Sequence, residues 1–364
     1  MGGSTVNHRI AVLPGDGIGP EETAAAVRAL SAALPSCVFT EAAVGGAAIA
    51  AHGTPLPDET LTIARESAAV LFGAVGGNGY EHLTPDKRPE AAILRLRKAF
   101  GLYANVRPSF AYPGLESRSP LRAELVRGMD LVIVRELTGG LYFGPKSLEP
   151  EDGVLTARDG LVYRDFEIER IARFAFDLAR TRRKHVTSVD KSNVLISSQL
   201  WRRIVTEVAH DFPDVTLTHM LVDNAAMQLV RDPRAFDVVV TENMFGDILS
   251  DEAAMITGTI GTAPSASLGA APSIRAFGLY EPISGTAPDI AGRGIANPSA
   301  AILSAALLAR FSLGEPDAAD RIERAVAGAL AEGPRTPDLD GDAGVSTQAF
   351  TDAVLARLTP IAVA

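Results

Sequence analysis

Three observations predict an α/β protein built on a largely parallel sheet. Short β-branched runs, Arg9 to Leu13, Ala69 to Phe72, Leu131 to Val134, His185 to Val189, Thr216 to Thr218 and Val238 to Val240, alternate with helical patterns, the order that produces parallel pairing. Charged residues recur where those runs stop: Arg135 and Glu136, Asp190 and Lys191, Asp223, and Glu242 with Asn243. In such folds ligands collect outside the carboxyl ends of strands. Pro and Gly punctuate Val106 to Pro120 and again Gly258 to Pro272, which marks both as crossings between two lobes.

Composition narrows the partners. A chain of 364 residues holds two domains or one large one with an insertion. The formal charge of −10 argues against a nucleic-acid surface, which needs clustered Lys and Arg. The main basic run, Arg180 to Lys184, follows the helical pattern Phe166 to Ala179 and reads as a solvated helix end. One cysteine, Cys37, makes no internal disulfide and no thiolate cage. No secretory pattern and no bilayer-length apolar stretch is found, so a cytoplasmic protein without a membrane role is expected.

The elements follow in order. Gly15-Asp-Gly-Ile-Gly19-Pro-Glu21 leaves the first strand and opens a helix. Its third glycine comes one residue early for a dinucleotide fingerprint, and Pro20 suits the first helical turn, so a tight strand-to-helix turn explains it as well. Gly73 to Gly79 follows the second run, and Gly285 to Gly294 forms a third cluster. Three glycine turns would converge on one cofactor, since glycine lets backbone N–H groups approach phosphate. Asp289 either accepts from ribose hydroxyls, favouring NAD over NADP, or simply turns the chain after Pro288. Leu141 to Tyr163 lacks helical periodicity and carries Gly144, Pro145, Pro150, Gly153 and Gly160, which suits an arm or hairpin. Ala300 to Leu308 is an Ala-rich helix.

Several side chains carry candidate chemistry. Glu90, Ile93, Leu94 and Arg97 recur at spacings of three and four, one helix face with an apolar wall beside a cation; a half-buried helix with a snorkelling Arg has the same pattern. Arg97, Arg107 and Arg135 together suit a substrate with more than one carboxylate. Tyr142 and Lys191 are candidate proton carriers, against packing and a solvated strand end. Asp223 is either a ligand or an N-cap. Asp247 and Asp251 lie one helical turn apart, where like charges repel by about 0.2–0.5 kcal/mol. Either a hard divalent cation gathers them or they form an acidic helix start.

Taken in order, Leu-Arg-Lys with Tyr-Ala-Asn-Val-Arg-Pro, Arg-Glu-Leu-Thr-Gly-Gly-Leu-Tyr-Phe-Gly, Val-Asp-Lys-Ser-Asn-Val, Phe-Gly-Asp-Ile-Leu-Ser-Asp and Gly-Thr-Ala-Pro-Asp-Ile-Ala-Gly resemble the 3-isopropylmalate dehydrogenases over nearly the whole chain. The resemblance implies the isocitrate/isopropylmalate dehydrogenase-like three-layer fold, non-Rossmann and two-lobed. Its large cofactor-side domain would be residues 1–104 plus 258–364, its small domain 105–257, with a protruding arm at about 141–163. It implies a homodimer whose active site is shared, one subunit supplying Lys191 and Asp223. Arg97, Arg107 and Arg135 would hold the dicarboxylate, Asp223 also lining its site; Asp223, Asp247 and Asp251 would hold Mg²⁺ or Mn²⁺. Lys191 and Tyr142 would be catalytic, and Glu90, Ile93 and Leu94 would receive the alkyl group. NAD would contact Ile18, Gly77, Asn78, Glu90, Glu281, Gly285, Thr286, Ala287, Pro288, Asp289, Ile290 and Asn297. The implied activity is NAD-dependent oxidative decarboxylation of 3-isopropylmalate in leucine biosynthesis, with D-malate, tartrate, homoisocitrate or another 3-alkylmalate as alternative substrates. Ser284 departs from the family, many members having His or Gly there, which bears on NAD affinity. Outside this class stand a binding protein without turnover and a metal-independent Rossmann 2-hydroxy acid dehydrogenase.

Overall fold

A computed structural model describes residues 7–270 and 276–358; Pro272, the end of the second expected crossing, lies outside the described residues. In chain order the strands are β1 His8–Gly15, β2 Cys37–Glu41, β3 Ala69–Ala74, β4 Ala104–Phe110, β5 Asp130–Glu136 and β6 Lys146–Glu151. They continue as β7 Val154–Asp159, β8 His185–Asp190, β9 Thr216–Leu221, β10 Val238–Thr241, β11 Pro264–Leu268 and β12 Gly278–Pro282. Each of the six β-branched runs is a strand, so the α/β expectation holds. β2, β4, β11 and β12 are additional.

The chain divides into two compact units: Met1–Leu102 with Tyr112–Ser119 and Thr257–Ala364, and Tyr103–Ala111 with Pro120–Ile256. Tyr112–Ser119 belongs to the first unit, although the bounds implied by the resemblance place it in the small domain, 105–257. It packs closely there: a Cβ on Gly258 would lie 2.9 Å from the Arg118 carbonyl carbon.

In the first unit the strand order is β2-β1-β3-β12-β11, parallel except for β11 against β12. Its core gathers Leu13, Phe72, Leu96 and Leu279. The helix Ser299–Leu308 is buried at every residue, as a helix apolar all round must be. In the second unit the order is β4-β5-β10-β8-β9, with only β4 antiparallel to β5. β10 lies between β5 and β8 and is wholly buried, which explains the continuous Val238-Val-Val run. Its carboxyl end delivers the chain straight into the helix Asn243–Ile256.

β4 runs through a segment that its proline marks as a crossing. Pro108 faces Val132 in the β4–β5 ladder, a strand position that a residue without an N–H tolerates only where no ladder bond is required of it. The expected arm is a hairpin, β6 against β7, closed by Asp152 and Gly153, both at positive φ, the dipeptide a two-residue primed turn selects. Leu148, Val154 and Leu155 stand exposed along it.

Candidate active site

Five side chains of the second unit meet at the carboxyl end of β5. Arg135 is 3% exposed, and a buried guanidinium must find acceptors. Its Nε donates to Asn243 Oδ1 at 3.0 Å, and one terminal nitrogen donates to Asp247. Arg107, from β4, donates to Asn105 Oδ1 at 2.8 Å, Ser250 Oγ at 2.7 Å and Asp251 Oδ1 at 3.1 Å, with Asp247 at 3.6 Å. Asp247 and Asp251 thus share one face of Asn243–Ile256, and the Tyr142 hydroxyl donates to Asp247 Oδ2 at 3.0 Å.

Charge is balanced two against two, yet burial still bears on Asp251. Burial pushes the Asp251 carboxyl up, Arg107 pulls it down, and Asp247 adds to the rise. Burial, then the charge of Asp247, keeps the Tyr142 phenol protonated beyond its ordinary range. Two like charges one turn apart in a half-buried place are the setting a hard cation relieves, so the donor chemistry fits one. Among the described residues no three His, Cys, Asp or Glu side chains converge as a ready cage. Asp223 is apart from the other two aspartates: it accepts from Lys191 Nζ at 2.8 Å, a bond that holds its carboxyl below the usual range. Lys191 therefore faces an anion within its own chain.

The first unit brings its glycine turns together. Asp16 is the clamp, its carboxylate accepting from Gly46 N at 2.7 Å, Ala47 N at 2.8 Å and Gly76 N at 3.0 Å. Ile18 N donates to Thr286 O at 3.0 Å, and Gly17, at φ 60°, passes so close that a Cβ would lie 2.0 Å from that oxygen. Glu90 precedes the helix Ala91–Ala99 without a side-chain cap bond, and its Oε1 would meet a Cβ on Gly76 at 3.0 Å. Gly77, Asn78, Gly285, Pro288 and Asp289 are exposed, and Ala287 and Ile290 partly so; Ala287 is held at φ 38°. Asn297 is different: buried, it donates to Asp338 at 2.9 Å and accepts from Ser299 N at 3.0 Å, so its amide is already committed inside the protein.

On the helix Ala91–Ala99, Arg97 donates to Glu281 at 3.0 Å, while its buried Nε has no partner among the described residues. Ile93 is half-buried and Leu94 exposed. Ser284 Oγ donates to Glu22 at 3.2 Å. Glu22 is wholly buried, and burial pushes its carboxyl up to about 8.

Residues that the sequence left unassigned complete the second-unit cluster. The Glu242 carboxylate caps Asn243–Ile256 by accepting from Met244 N and Phe245 N. Glu136 accepts from Thr138 and Gly139. Tyr163 receives the Asn243 amide at 2.9 Å. Glu136, Glu242 and Asn243 were flagged by their place after β-runs; Tyr163 and Asp16 had no local signal, because their partners lie far away in sequence.

Comparison with known proteins adds a lineage. Residues 9–354 match the family model described as isocitrate/isopropylmalate dehydrogenase. The chain is similar to a 3-isopropylmalate dehydrogenase of Pseudoalteromonas translucida, 54% identical and spanning 98% of this chain and all of that protein. It is also similar to one of Geobacillus kaustophilus, 56% identical over 96% of this chain and 95% of the other. Among solved structures, an isocitrate dehydrogenase from Methylococcus capsulatus superimposes with a TM-score of 0.84 at 39% identity, covering 96% of this chain and 99% of that one. A β-decarboxylating dehydrogenase from Thermococcus kodakarensis gives 0.80 at 39% identity, covering 96% of each.

Proposed function

Because the chain belongs to the isocitrate/isopropylmalate dehydrogenase family, we propose that it converts (2R,3S)-3-isopropylmalate to 4-methyl-2-oxopentanoate by NAD-linked oxidative decarboxylation, the reaction of leucine biosynthesis. The observation that carries this reading is the buried pair Arg107 and Arg135 set against Asp247, Asp251 and Tyr142. Two fixed guanidinium forks suit carboxylate recognition, and two carboxylates one helical turn apart beside them suit a cation.

Arg107 and Arg135 bind and orient a substrate carboxylate, and Arg97, with its unpartnered Nε, takes the second. Asp247 and Asp251, with Asp223 of the partner subunit, would hold Mg²⁺ or Mn²⁺, which supplies Lewis-acid polarisation of the substrate oxygens. The turns at Ile18, Gly77, Asn78 and Gly285 to Ile290, with Glu90 and Glu281 beside them, would hold NAD, which would supply the hydride acceptor. Lys191 Nζ of the partner subunit takes the hydroxyl proton. Tyr142, whose phenol keeps its proton, delivers one to the carbon that loses CO₂. Ile93 and Leu94 receive the isopropyl group. The asymmetric origin of Lys191 and Asp223 makes a homodimer the working form, and a soluble cytoplasmic location fits it; among the described residues no helix is long and apolar enough to cross a membrane.

The test is NADH absorbance with racemic 3-isopropylmalate, Mg²⁺ and NAD, beside an EDTA control and D-malate. Metal-dependent NADH formation that prefers isopropylmalate is expected. Turnover of D-malate alone would move the substrate and keep the chemistry; turnover unaffected by EDTA would sink the metal-dependent reading.

A further inference from the structure

Behind the substrate arginines lies a buried polar chain that touches no substrate. Glu136, at the end of β5, is wholly buried and accepts from Thr138 N at 2.9 Å and Gly139 N at 2.7 Å, with Arg170 at 3.4 Å. Near it lies the Tyr163 hydroxyl, kept protonated by burial and then by the charge of that carboxylate, and the same oxygen accepts the Asn243 backbone N–H at 2.9 Å. The Asn243 side chain carries the chain onward: its Nδ2 donates to Gly139 O at 3.2 Å and its Oδ1 accepts from Arg135 Nε at 3.0 Å.

The backbone is shaped to admit this arrangement. A Cβ on Gly139 would lie 2.6 Å from the Tyr163 ring, one on Gly140 2.8 Å from its hydroxyl, and one on Gly246 2.6 Å from Arg135 Cγ. Three glycines in two separate motifs are therefore needed for Tyr163 and Arg135 to sit where they do. The Trp201 ring meets Tyr163 edge-on at 5.6 Å and closes the far side.

Deepening the functional reading above, and resting on it, we propose that Tyr163 and Asn243 are positioning residues that set the plane of the Arg135 guanidinium and the start of the aspartate-bearing helix, and so tune dicarboxylate recognition. Neither residue reaches the reacting atoms. Asn243 fixes Arg135 through Nε, while one terminal nitrogen donates to Asp247. Tyr163 fixes the first backbone amide of the helix that carries Asp247 and Asp251. A guanidinium that loses its Nε anchor keeps its charge but loses its angle, and with it part of the planar two-bond match to a carboxylate.

The experiment compares wild type, Asn243→Ala and Tyr163→Phe in steady-state kinetics, varying 3-isopropylmalate and NAD separately, with urea unfolding alongside. The expected result is a rise of about ten-fold or more in KM for the dicarboxylate in both variants, with KM for NAD and kcat each within about three-fold of wild type. Tyr163→Phe removes a single atom and preserves the ring packing, so it serves if Asn243→Ala does not fold. If a competent wild type is accompanied by variants whose two KM values move together, or do not move, the relay is overturned and the functional reading survives. A wild type that neither turns over nor binds 3-isopropylmalate in calorimetry overturns both.

Discussion

At the scale of single residues, Tyr142, proposed above as a proton donor, contrasts with Glu22, which only suffers its surroundings. Tyr142 is partly open to solvent and bonded to Asp247. Removing its hydroxyl by Tyr142→Phe is expected to lower kcat by about 10²–10⁴-fold, the usual worth of a general acid, with little change in KM for the dicarboxylate; parallel kinetics on both proteins measure this. Glu22 instead touches Ser284 from a wholly buried position. Its carboxyl ionises near its ordinary 4.5 in the unfolded chain and near 8 in the native protein. Between those values the native state holds the extra proton, so this contribution to stability is complete below about 4.5 and is lost as pH rises toward 8. The loss is on the order of a few kcal/mol. Urea midpoints measured from pH 5 to 9 should fall with rising pH, and Glu22→Gln, which cannot ionise, should flatten that fall.

The helix Asn243–Ile256 shows how much one element can be asked to do. It must approach Arg135 closely, and Gly246 is the residue that permits this. On propensity alone Gly246→Ala would gain about 1 kcal/mol of helix stability, but the new methyl meets Arg135 Cγ at 2.6 Å, and overpacking of that kind costs about 1–3 kcal/mol. The collision wins. Net destabilisation in urea, together with a raised KM for the dicarboxylate, is the expected outcome. This element was legible in the sequence, since Asp247 and Asp251 announce themselves by spacing. β4 and β11 were not: Ala104-Asn-Val-Arg-Pro-Ser-Phe110 and Pro264-Ser-Ala-Ser-Leu268 carry few β-branched residues, and they are strands because of neighbours supplied by distant parts of the chain. Tyr163 and Asp16 escaped notice for the same reason. What a glycine cluster encloses, or a carboxylate clamps, is decided by partners that local pattern does not show.

For the molecule as a whole, the sharpest consequence of the proposed shared site is complementation. Tyr142 belongs to one subunit's share of each site and Lys191 to the other's. A hybrid of Tyr142→Phe with Lys191→Ala would therefore place both defects in one site and leave the other intact. Co-expression of two inactive variants should restore up to about a quarter of wild-type NADH formation if pairing is random in a two-fold dimer; no recovery from verified hybrids would place Lys191 and Tyr142 in the same subunit's site. Leu94, 46% exposed on the helix Ala91–Ala99, carries a longer consequence. Substitutions at such surface positions usually shift stability by no more than about 0.5 kcal/mol, whereas a methylene gained or lost in the alkyl pocket is worth about 1–3 kcal/mol of discrimination. If Leu94 lines the alkyl pocket as proposed, substrate choice is written on a part of the molecule that folding scarcely reads, and a lineage with this architecture can drift from one malate to another without passing through an unstable ancestor.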